Sequence, residues 1–346
     1  MAPPKVSVLW VNYNGMHVRD ILQESLQAID ALDYDDYELI AVDNGSNDGS
    51  CQLIADQFER MRCKRRLIRL DRNLGFTGGN NVAYAARSPE AKYVLLVNSD
   101  AVPYPDSLRE IIERMEGDST IGAAQGVTVD YSTGKVDTAG EIVDEVLEVH
   151  SLSMGSQPTS VKSTTEITYA NGAFAVYRVA SLKAAQGDRI FDEIFAYYDD
   201  NLLGLKLWNR GFKSLSFPVL AARHRRSSSF GRYSKAMIYL TIRNCLFLNE
   251  ITNSRYRELI RLFPIKYLLK RIGGNPFATF SISFKAAKDG LSMGRKALSA
   301  EGVVDLYRAP IIRLEPSLAL LRLLLPGRLT RDLLDQRIGE TVNITK

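Results

Sequence analysis

Polar side chains that could bind a nucleotide or a metal follow three apolar, β-rich runs in the first hundred residues. They are Asn12, Asn14, Asp43, Asn98 and Asp100. Asp43 ends its run directly, where a carboxylate can accept hydrogen bonds from a base or a ribose. Asp100 offers an oxygen ligand for Mg²⁺ or Mn²⁺, and such a metal would stabilise charge that develops on a diphosphate. The alternative for a strand-end aspartate is a cap on the following helix.

The segment 71–81, DRNLGFTGGNN, has the glycines and asparagines of a backbone cradle for a nucleotide, with Asn73, Gly75 and Asn80 as candidate contacts. It lacks the G-x-G-x-x-G fingerprint of dinucleotide-binding proteins. It also follows the third β-rich run, whereas that fingerprint follows the first strand. Both observations count against a nicotinamide enzyme.

Positive charge gathers at 221–235, where Arg223, Arg225, Arg226 and Arg232 surround His224. A run of charge is commonly a solvated face. Serines and a glycine interleave with these cations, however, and a mobile loop of this kind could close over a diphosphate. We therefore expect Arg226 and its neighbours to contact the ligand.

The elements that would position these residues alternate along the first 130 residues. Apolar β-rich runs at 6–11, 38–42, 66–70, 93–97 and 121–129 are separated by helical patterns. Continuous apolar runs are typical of a mostly parallel sheet that is covered on both faces. Ligands of such sheets bind beyond the carboxyl ends of the strands, so the strand-end residues should converge.

The second half is less regular. We predict a loop and small sheet over 131–168, strands at 169–178 and 213–221, a helix at 196–210, and basic helical structure from 235 onward. The segment 255–272 mixes cations with large apolar residues. It is either an amphipathic contact with an anionic membrane surface or a helix packed on the rest of the protein. The segment 311–338 presents the same choice.

Bulk composition narrows the class of protein. The 346 residues are 45% hydrophobic and 24% charged, which favours one large globular domain with a smaller appendage. A net charge of +4 does not indicate nucleic-acid binding. Three cysteines without a C-x-x-C spacing predict neither a disulfide framework nor a zinc site, and a reducing compartment fits them best. With no signal-peptide pattern and no long apolar run, we expect a cytoplasmic protein.

Four of these segments, VSVLWVNYNG, AVDNGSNDGS, DRNLGFTGGNN and VLLVNSD, together resemble the family 2 glycosyltransferases and most of all their rhamnosyltransferase-like branch. The similarity continues through YANGAFAVYR, the FAYYDD segment, the His224 segment and YLTIRN, over about residues 5–250. It implies an α/β protein of GT-A fold, with a mostly parallel central sheet flanked by helices and a helical C-terminal extension. The implied domains are a catalytic domain at 1–235, with donor-binding and acceptor-binding halves of about 1–130 and 131–235, and a helical, basic region at 236–346.

The resemblance also implies roles for single residues. Asp43 matches the acid that binds the nucleotide base, and Asp100 matches the metal ligand of a D-x-D-like motif whose first acid is Asn98 here. His224 matches a histidine that completes metal or diphosphate binding. The pair Asp199-Asp200 matches a Glu-Asp pair whose second member is the general base, so Asp199 is expected to cap its helix. Leu202 departs from the family, which often has another acid there, so the base must be Asp199 or Asp200.

The implied reaction is an inverting transfer of a hexosyl group, with rhamnosyl as one candidate, from a UDP- or dTDP-linked sugar to a saccharide or a lipid-linked saccharide. It would serve polysaccharide assembly at the cell envelope, with the protein cytoplasmic or peripheral on the inner face of the membrane. One alternative is a nucleotidyltransferase, which should carry a Gly-rich basic loop where this chain has Asn12-Tyr13-Asn14-Gly15. Another is a non-catalytic scaffold with a transferase fold, which the acids and His224 named above argue against.

Overall fold

We describe a computed structural model of the chain over residues 3–226, 234–269 and 276–325, together with Thr330, Leu334 and 344–345. Arg232, the end of the 255–272 segment and most of 326–338 lie outside the described residues, so the expectations for them are not addressed by the structure.

The first half alternates strands and helices as the sequence patterns predict. The elements are β1 (Val6–Asn12), α1 (Arg19–Asp30), β2 (Tyr37–Asp43), α2 (Ser50–Phe58), β3 (Lys64–Arg69), α3 (Gly75–Ala85), β4 (Tyr93–Asn98), β5 (Ala101–Pro103), α4 (Ser107–Glu116) and β6 (Ile121–Asp130). In α1, Ile21, Leu22, Leu26 and Ile29 are buried at helical spacing, which is why this segment forms an amphipathic helix. The third helix, α3, begins at Gly75, so most of the 71–81 segment is helical.

The second half contains shorter strands and the C-terminal helices. The elements are β7 (Val136–Thr138), β8 (Glu141–Asp144), β9 (Val149–Ser151), β10 (Thr164–Glu166), β11 (Phe174–Arg178), α5 (Val179–Gln186), α6 (Asp199–Asn209), β12 (Lys213–His224), α7 (Lys235–Ile251), α8 (Arg257–Ile260), α9 (Phe263–Leu269), α10 (Pro276–Glu301), β13 (Ile311–Ile312), α11 (Pro316–Leu324) and β14 (Ile344–Thr345). The strand predicted at 169–178 begins only at Phe174, because residues 171–173 form a turn held by the Asn171 side chain.

The central sheet has the strand order β14-β10-β12-β6-β11-β4-β1-β2-β3. Strands β1 to β4 pair in parallel, as predicted. Beyond them the sheet is mixed, since β11 runs antiparallel to both β4 and β6 while β12 is parallel to β6. A second, small sheet has the order β13-β8-β9. The predicted α/β fold with helices around a central sheet is thus confirmed, and its parallel part is the half that carries Asp43 and Asp100.

Two apolar cores lie on opposite faces of the central sheet. Side chains of a strand alternate between faces, so Leu9 of β1 enters one core while Val8 and Trp10 enter the other. Trp10 is fully buried and donates from Nε1 to Ser25 Oγ of α1 at 3.1 Å. Packing on both faces fixes the positions of the strands, and therefore the positions of the polar residues that follow their carboxyl ends.

Buried ion pairs attach the C-terminal helices to the small sheet. Arg255 and Arg313 both reach Glu145, whose side chain is fully buried. Lys266 of α9 contacts Glu148 at 2.6 Å, and Arg322 of α11 contacts Asp144 at 2.7 Å. Because one partner alone would be a buried, uncompensated charge, these pairs fix the position of the helices on the sheet. Among the described residues, no helix is long and apolar enough to cross a membrane.

Candidate active site

A cleft of about 790 Å³ opens at the carboxyl ends of β1 and β4. It is lined by Val11, Phe76, Asn80, Val97, Asn98, Ser99, Asp100, Glu148, Val149, Tyr169, Ala196, Tyr197, Tyr198, Asp199, Asp200, Asn201, His224, Arg226, Thr241, Phe263 and Tyr267. The strand-end motif, the FAYYDD segment and the His224 segment, which are far apart in the sequence, therefore share one cavity.

Asp43 and Asn12 end neighbouring parallel strands and face each other in register. Asn12 Nδ2 donates to Asp43 Oδ1 at 2.9 Å, and the Ser46 backbone N–H donates to Asp43 Oδ2 at 3.1 Å. Asn14 adopts a left-handed conformation (φ 50°) and accepts from the Asn47 backbone N–H at 3.0 Å. These bonds join the loops after β1 and β2 into one surface. Asp43 is only 3% exposed and does not line the cleft, so its contact with a base stays a prediction.

The 71–81 segment is shaped by amide side chains. Asn44 Nδ2 donates to Asn73 Oδ1 at 3.0 Å and to the Gly75 carbonyl at 2.9 Å. Gly75 has φ 77°, and a Cβ there would collide with the carbonyl of Phe195, so glycine allows the two segments to approach closely. Asn80 donates to the Phe76 carbonyl at 2.9 Å and lines the cleft. Asn73 and Gly75 therefore shape the cradle, and Asn80 reaches the cavity.

Asp100 and His224 lie side by side because β5 and the end of β12 pair antiparallel, with His224 opposite Ala101. His224 Nε2 is 3.4 Å from Asp100 Oδ1, and His224 Nδ1 is 2.9 Å from Asp137 Oδ2. Burial lowers the pKa of the imidazole, but the bonds to Asp100 and Asp137 outweigh it and raise the pKa of His224 to about 9. The imidazole is thus a cation between two carboxylates, and a metal at Nε2 would have to displace its proton.

The Asp100–His224 pair fits part of the coordination shell of a divalent metal. A carboxylate oxygen and an imidazole nitrogen this close can bind one ion, and Asp137 orients the imidazole as carboxylates do behind metal-bound histidines. Within the described ranges, no group of three or more His, Cys, Asp or Glu residues forms a complete metal site. The remaining ligands of a metal here would come from phosphate oxygens and water, as is usual for Mg²⁺.

Asp199 and Asp200 begin α6 and also line the cleft. Asp200 Oδ2 accepts from the Gly172 backbone N–H at 3.0 Å, whereas Asp200 Oδ1 is buried with no hydrogen-bond partner in the described structure. Burial, and secondarily the charge of Asp199, raise the pKa of Asp200 well above its usual range. Burial also raises the pKa of Asp199 to about 6. A strongly basic carboxylate that lacks a partner and faces a cavity is equipped to accept a proton.

Two acids near the cleft were not predicted from the sequence. Asp137 of β7 holds His224 and also pairs with Arg226, which lines the cleft. Glu141 of β8 accepts from Asn171 Nδ2 at 3.1 Å, and burial raises the pKa of Glu141 to about 7. Both lie in the irregular 131–168 region, for which the sequence predicts only a loop and a small sheet. Arg223, by contrast, pairs with Glu24 and does not line the cleft.

Comparisons with known proteins agree with this fold and cleft. The family model described as glycosyl transferase family 2 matches residues 7–185, more than half of the chain. The chain therefore belongs to glycosyl transferase family 2. An uncharacterized glycosyltransferase of Nostoc sp. is 27% identical over 147 residues, which are 41% of this chain and 44% of that protein. The match thus spans less than half the length of this curated relative.

Two solved structures share the fold. A mannosyltransferase, PcManGT from Pyrobaculum calidifontis in complex with GDP-Man and Mn²⁺, is similar with a TM-score of 0.52 and 18% identity, covering 98% of this chain and 86% of that one. S. aureus TarS 1-349 in complex with UDP-GlcNAc is similar with a TM-score of 0.50 and 16% identity, covering 97% and 88%. At these identities the likeness defines the fold, and it confirms the GT-A fold that the sequence resemblance implies.

Proposed function

We propose that the protein is an inverting glycosyltransferase that takes a sugar from a nucleotide-diphosphate donor, with Asp200 as general base and a divalent metal at Asp100 and His224. The observation that carries this proposal is the pairing of two chemistries in one cleft. Asp100 and His224 line the cleft together with Asp200, whose Oδ1 is buried and has no hydrogen-bond partner in the described structure. Family membership supplies the reaction class.

In the proposed mechanism the acceptor hydroxyl attacks the anomeric carbon from the face opposite the diphosphate. Asp200 Oδ1 accepts the proton of that hydroxyl, and burial makes this oxygen more basic than in water. Asp100 and His224 would hold a divalent metal, which would supply positive charge that stabilises the leaving diphosphate. Arg226, which also lines the cleft, would contribute a further positive charge.

The donor is expected to bind across the ends of β1, β2 and β4, with Asp43 near the base and Asn98 and Asn80 near the cleft floor. UDP and dTDP are the nucleotides we favour. The solved relatives named above were crystallised with GDP-Man and with UDP-GlcNAc, so GDP is a third candidate. A hexosyl or rhamnosyl group is the proposed sugar.

A nucleotide screen by thermal shift tests this proposal. We expect UDP, dTDP or GDP with Mn²⁺ to raise the melting temperature, because a ligand at a hundred times its Kd stabilises the native state by about 2.7 kcal/mol. ADP with Mn²⁺ serves as the mismatched-base control. If no nucleotide stabilises the protein, the non-catalytic scaffold becomes the better description. Cleavage of a nucleotide sugar between its α- and β-phosphates would instead identify a nucleotidyltransferase.

For the acceptor, we propose a lipid-linked saccharide presented at an anionic membrane surface. Six large apolar side chains are exposed in the C-terminal region. We name them together the apolar surface: Leu262, Ile265, Phe280, Phe284, Leu320 and Leu321. Phe280 and Phe284 are 59% and 65% exposed and stack at 6.4 Å between ring centroids. The exposed Lys285 and Lys288 follow them on α10, which adds the cations that an anionic interface attracts.

The cleft adjoins this surface through α9. Phe263 and Tyr267 of α9 line the cleft, whereas Ile265 of the same helix is exposed. By contrast, the cations that the structure describes in the 255–272 segment are neutralised within the protein, where Arg255, Arg257, Arg261 and Lys266 pair with Glu145, Glu250 and Glu148. These pairs favour the packed alternative for that segment and leave membrane contact to the apolar surface.

Vesicle flotation tests the membrane proposal. We expect the protein to float with vesicles of phosphatidylglycerol and not with pure phosphatidylcholine, because apolar insertion and charge attraction act together. The double variant Phe280→Ser/Phe284→Ser should lose at least tenfold in binding, since two inserted aromatic rings are removed. Leu220→Ser/Val303→Ser, which alters exposed apolar residues elsewhere, is the matched control. Equal flotation of both variants contradicts the proposal, and a dimer lost only in the phenylalanine variant would assign the surface to a second copy.

A further inference from the structure

The segment that delivers Asp200 has an unusual backbone. Phe195, Tyr197 and Tyr198 have φ values of 73°, 69° and 65°, a left-handed region that residues with a Cβ rarely adopt. Asp199 follows at once as the first residue of α6. Residues in such conformations persist only where their surroundings enforce them, and they gather at active sites. Whatever holds residues 194–198, which we name the strained loop, also sets the position of Asp200.

One side of the strained loop is held by a single amide group. Asn244 of α7 is fully buried, and its Nδ2 donates to the carbonyls of Ile194, Ala196 and Tyr197 at 3.1, 2.7 and 2.9 Å. The neighbouring Arg243 guanidinium also donates to the Ile194 carbonyl. These two residues end the YLTIRN segment, which belongs to the C-terminal helices. Neither Arg243 nor Asn244 lines the cleft.

The other side of the strained loop is held by the nucleotide-binding half. The Thr77 backbone N–H donates to the Phe195 carbonyl at 3.1 Å, and the Phe195 backbone N–H donates to Thr77 Oγ1 at 3.1 Å. Gly75 allows this close approach, as described above. The strained loop is therefore fixed between α3, which opens the nucleotide cradle, and α7, which opens the C-terminal region.

We propose that Asn244 is a positioning residue for the general base, which acts by holding the strained loop so that Asp200 keeps its position in the lining of the cleft. The inference rests on the proposed role of Asp200. Alanine leaves the carbonyls of Ala196 and Tyr197 without the Asn244 donor, whereas the Ile194 carbonyl keeps its bonds from Arg243 and from the Ala196 backbone N–H. Aspartate has the shape of asparagine, yet its carboxylate would repel those carbonyls instead of binding them.

Comparison of two asparagines on one helix tests the inference. Asn249 is also fully buried on α7, and its Nδ2 donates to the Arg257 carbonyl at 3.1 Å, away from the cleft. Asn244→Ala and Asn249→Ala should both lower the melting temperature. Only Asn244→Ala should lower kcat, by about 100-fold, because a displacement of the base by 1 Å has an effect of that order. The donor KM should stay within twofold of wild type, since no donor contact is removed, and Asn244→Asp should behave like Asn244→Ala.

Hydrogen exchange of the protein alone provides a readout that needs no activity. Asn244→Ala should speed exchange of the amides of residues 194–200 by at least tenfold, and Asn249→Ala should leave them unchanged. Unchanged exchange at 194–200 in Asn244→Ala overturns the inference, as does faster exchange with a normal kcat. If wild type transfers no sugar from UDP-, dTDP- or GDP-linked donors, the proposed function fails, while the exchange experiment still decides whether Asn244 holds the strained loop.

Discussion

Asp200→Asn is expected to lower kcat by about 10²–10⁴-fold, the range that a positioned general base contributes. The amide has nearly the same shape and can still accept from the Gly172 backbone N–H, but it cannot take up the proton of the acceptor hydroxyl. Nucleotide binding should persist, because the substitution nearly conserves the shape of the side chain and leaves the Asp100–His224 pair unchanged. Initial rates of transfer, measured with the donor that the nucleotide screen identifies, give the comparison. Near-normal turnover would remove Asp200 from the mechanism.

Stability separates loss of chemistry from loss of fold in this variant. The pKa of Asp200 is raised in the native state, so the native state holds its proton more tightly than the unfolded state does. Wild type therefore loses stability through Asp200 as the pH rises above the usual range of a carboxyl group, and Asp200→Asn removes this loss while the one through Asp199 remains. The variant should melt at or above the wild-type temperature at pH 8, with the difference closing towards pH 4. A lower melting temperature at pH 8 would indicate damage to the fold.

Asp199→Asn is the matched control for the same experiment. Asp199 is the first residue of α6, and its charge contributes to the raised pKa of Asp200. Removing that charge should lower the pKa of Asp200, so the acidic limb of the pH profile of kcat should move to lower pH while substantial activity remains. Loss of activity equal to that of Asp200→Asn would make the two acids indistinguishable as bases.

The arrangement around Asp100 and Asp200 illustrates what strand polarity makes predictable. Once β1, β2 and β4 are recognised as parallel, the residues at their carboxyl ends must share one edge of the sheet. Asn98 and Asp100 lie in the cleft for this reason. Asp200 and His224 could be placed there only through the resemblance to a family, because no local pattern connects α6 or the end of β12 to that edge.

The contacts that orient these groups were not predictable from local pattern. Asp137 lies in a Gly- and Ser-rich region without clear periodicity, and its contact with His224 joins residues 87 positions apart. Asn244 looks like an ordinary polar residue in a helix until the strained loop it holds is seen. The basic 255–272 segment likewise had two interpretations, because sequence does not reveal that its described cations pair with Glu145, Glu148 and Glu250. Pairing across long separations is set by tertiary packing, which local patterns do not encode.

Asp100→Ala is expected to remove transfer to a similar extent, but through loss of the proposed metal site. Loss of the carboxylate leaves His224 without one of its two acidic partners and removes the oxygen ligand of the proposed metal site. The thermal shift produced by the nucleotide with Mn²⁺ should therefore fall to the shift produced by the nucleotide alone. This readout does not depend on turnover, so it separates lost metal binding from other causes of inactivity.

Asp137→Asn provides the graded comparison for that result. Asp137 would not touch the metal, but its carboxylate fixes the His224 ring, and changes behind a metal ligand commonly cost 10- to 100-fold in metal affinity or activity. The variant should therefore need more Mn²⁺ for the same nucleotide-dependent shift and recover when Mn²⁺ is raised, whereas Asp100→Ala should not recover. Transfer by wild type that survives exhaustive chelation would contradict the metal assignment for Asp100 and leave the base assignment intact, since Asp200 has no part in the proposed metal site.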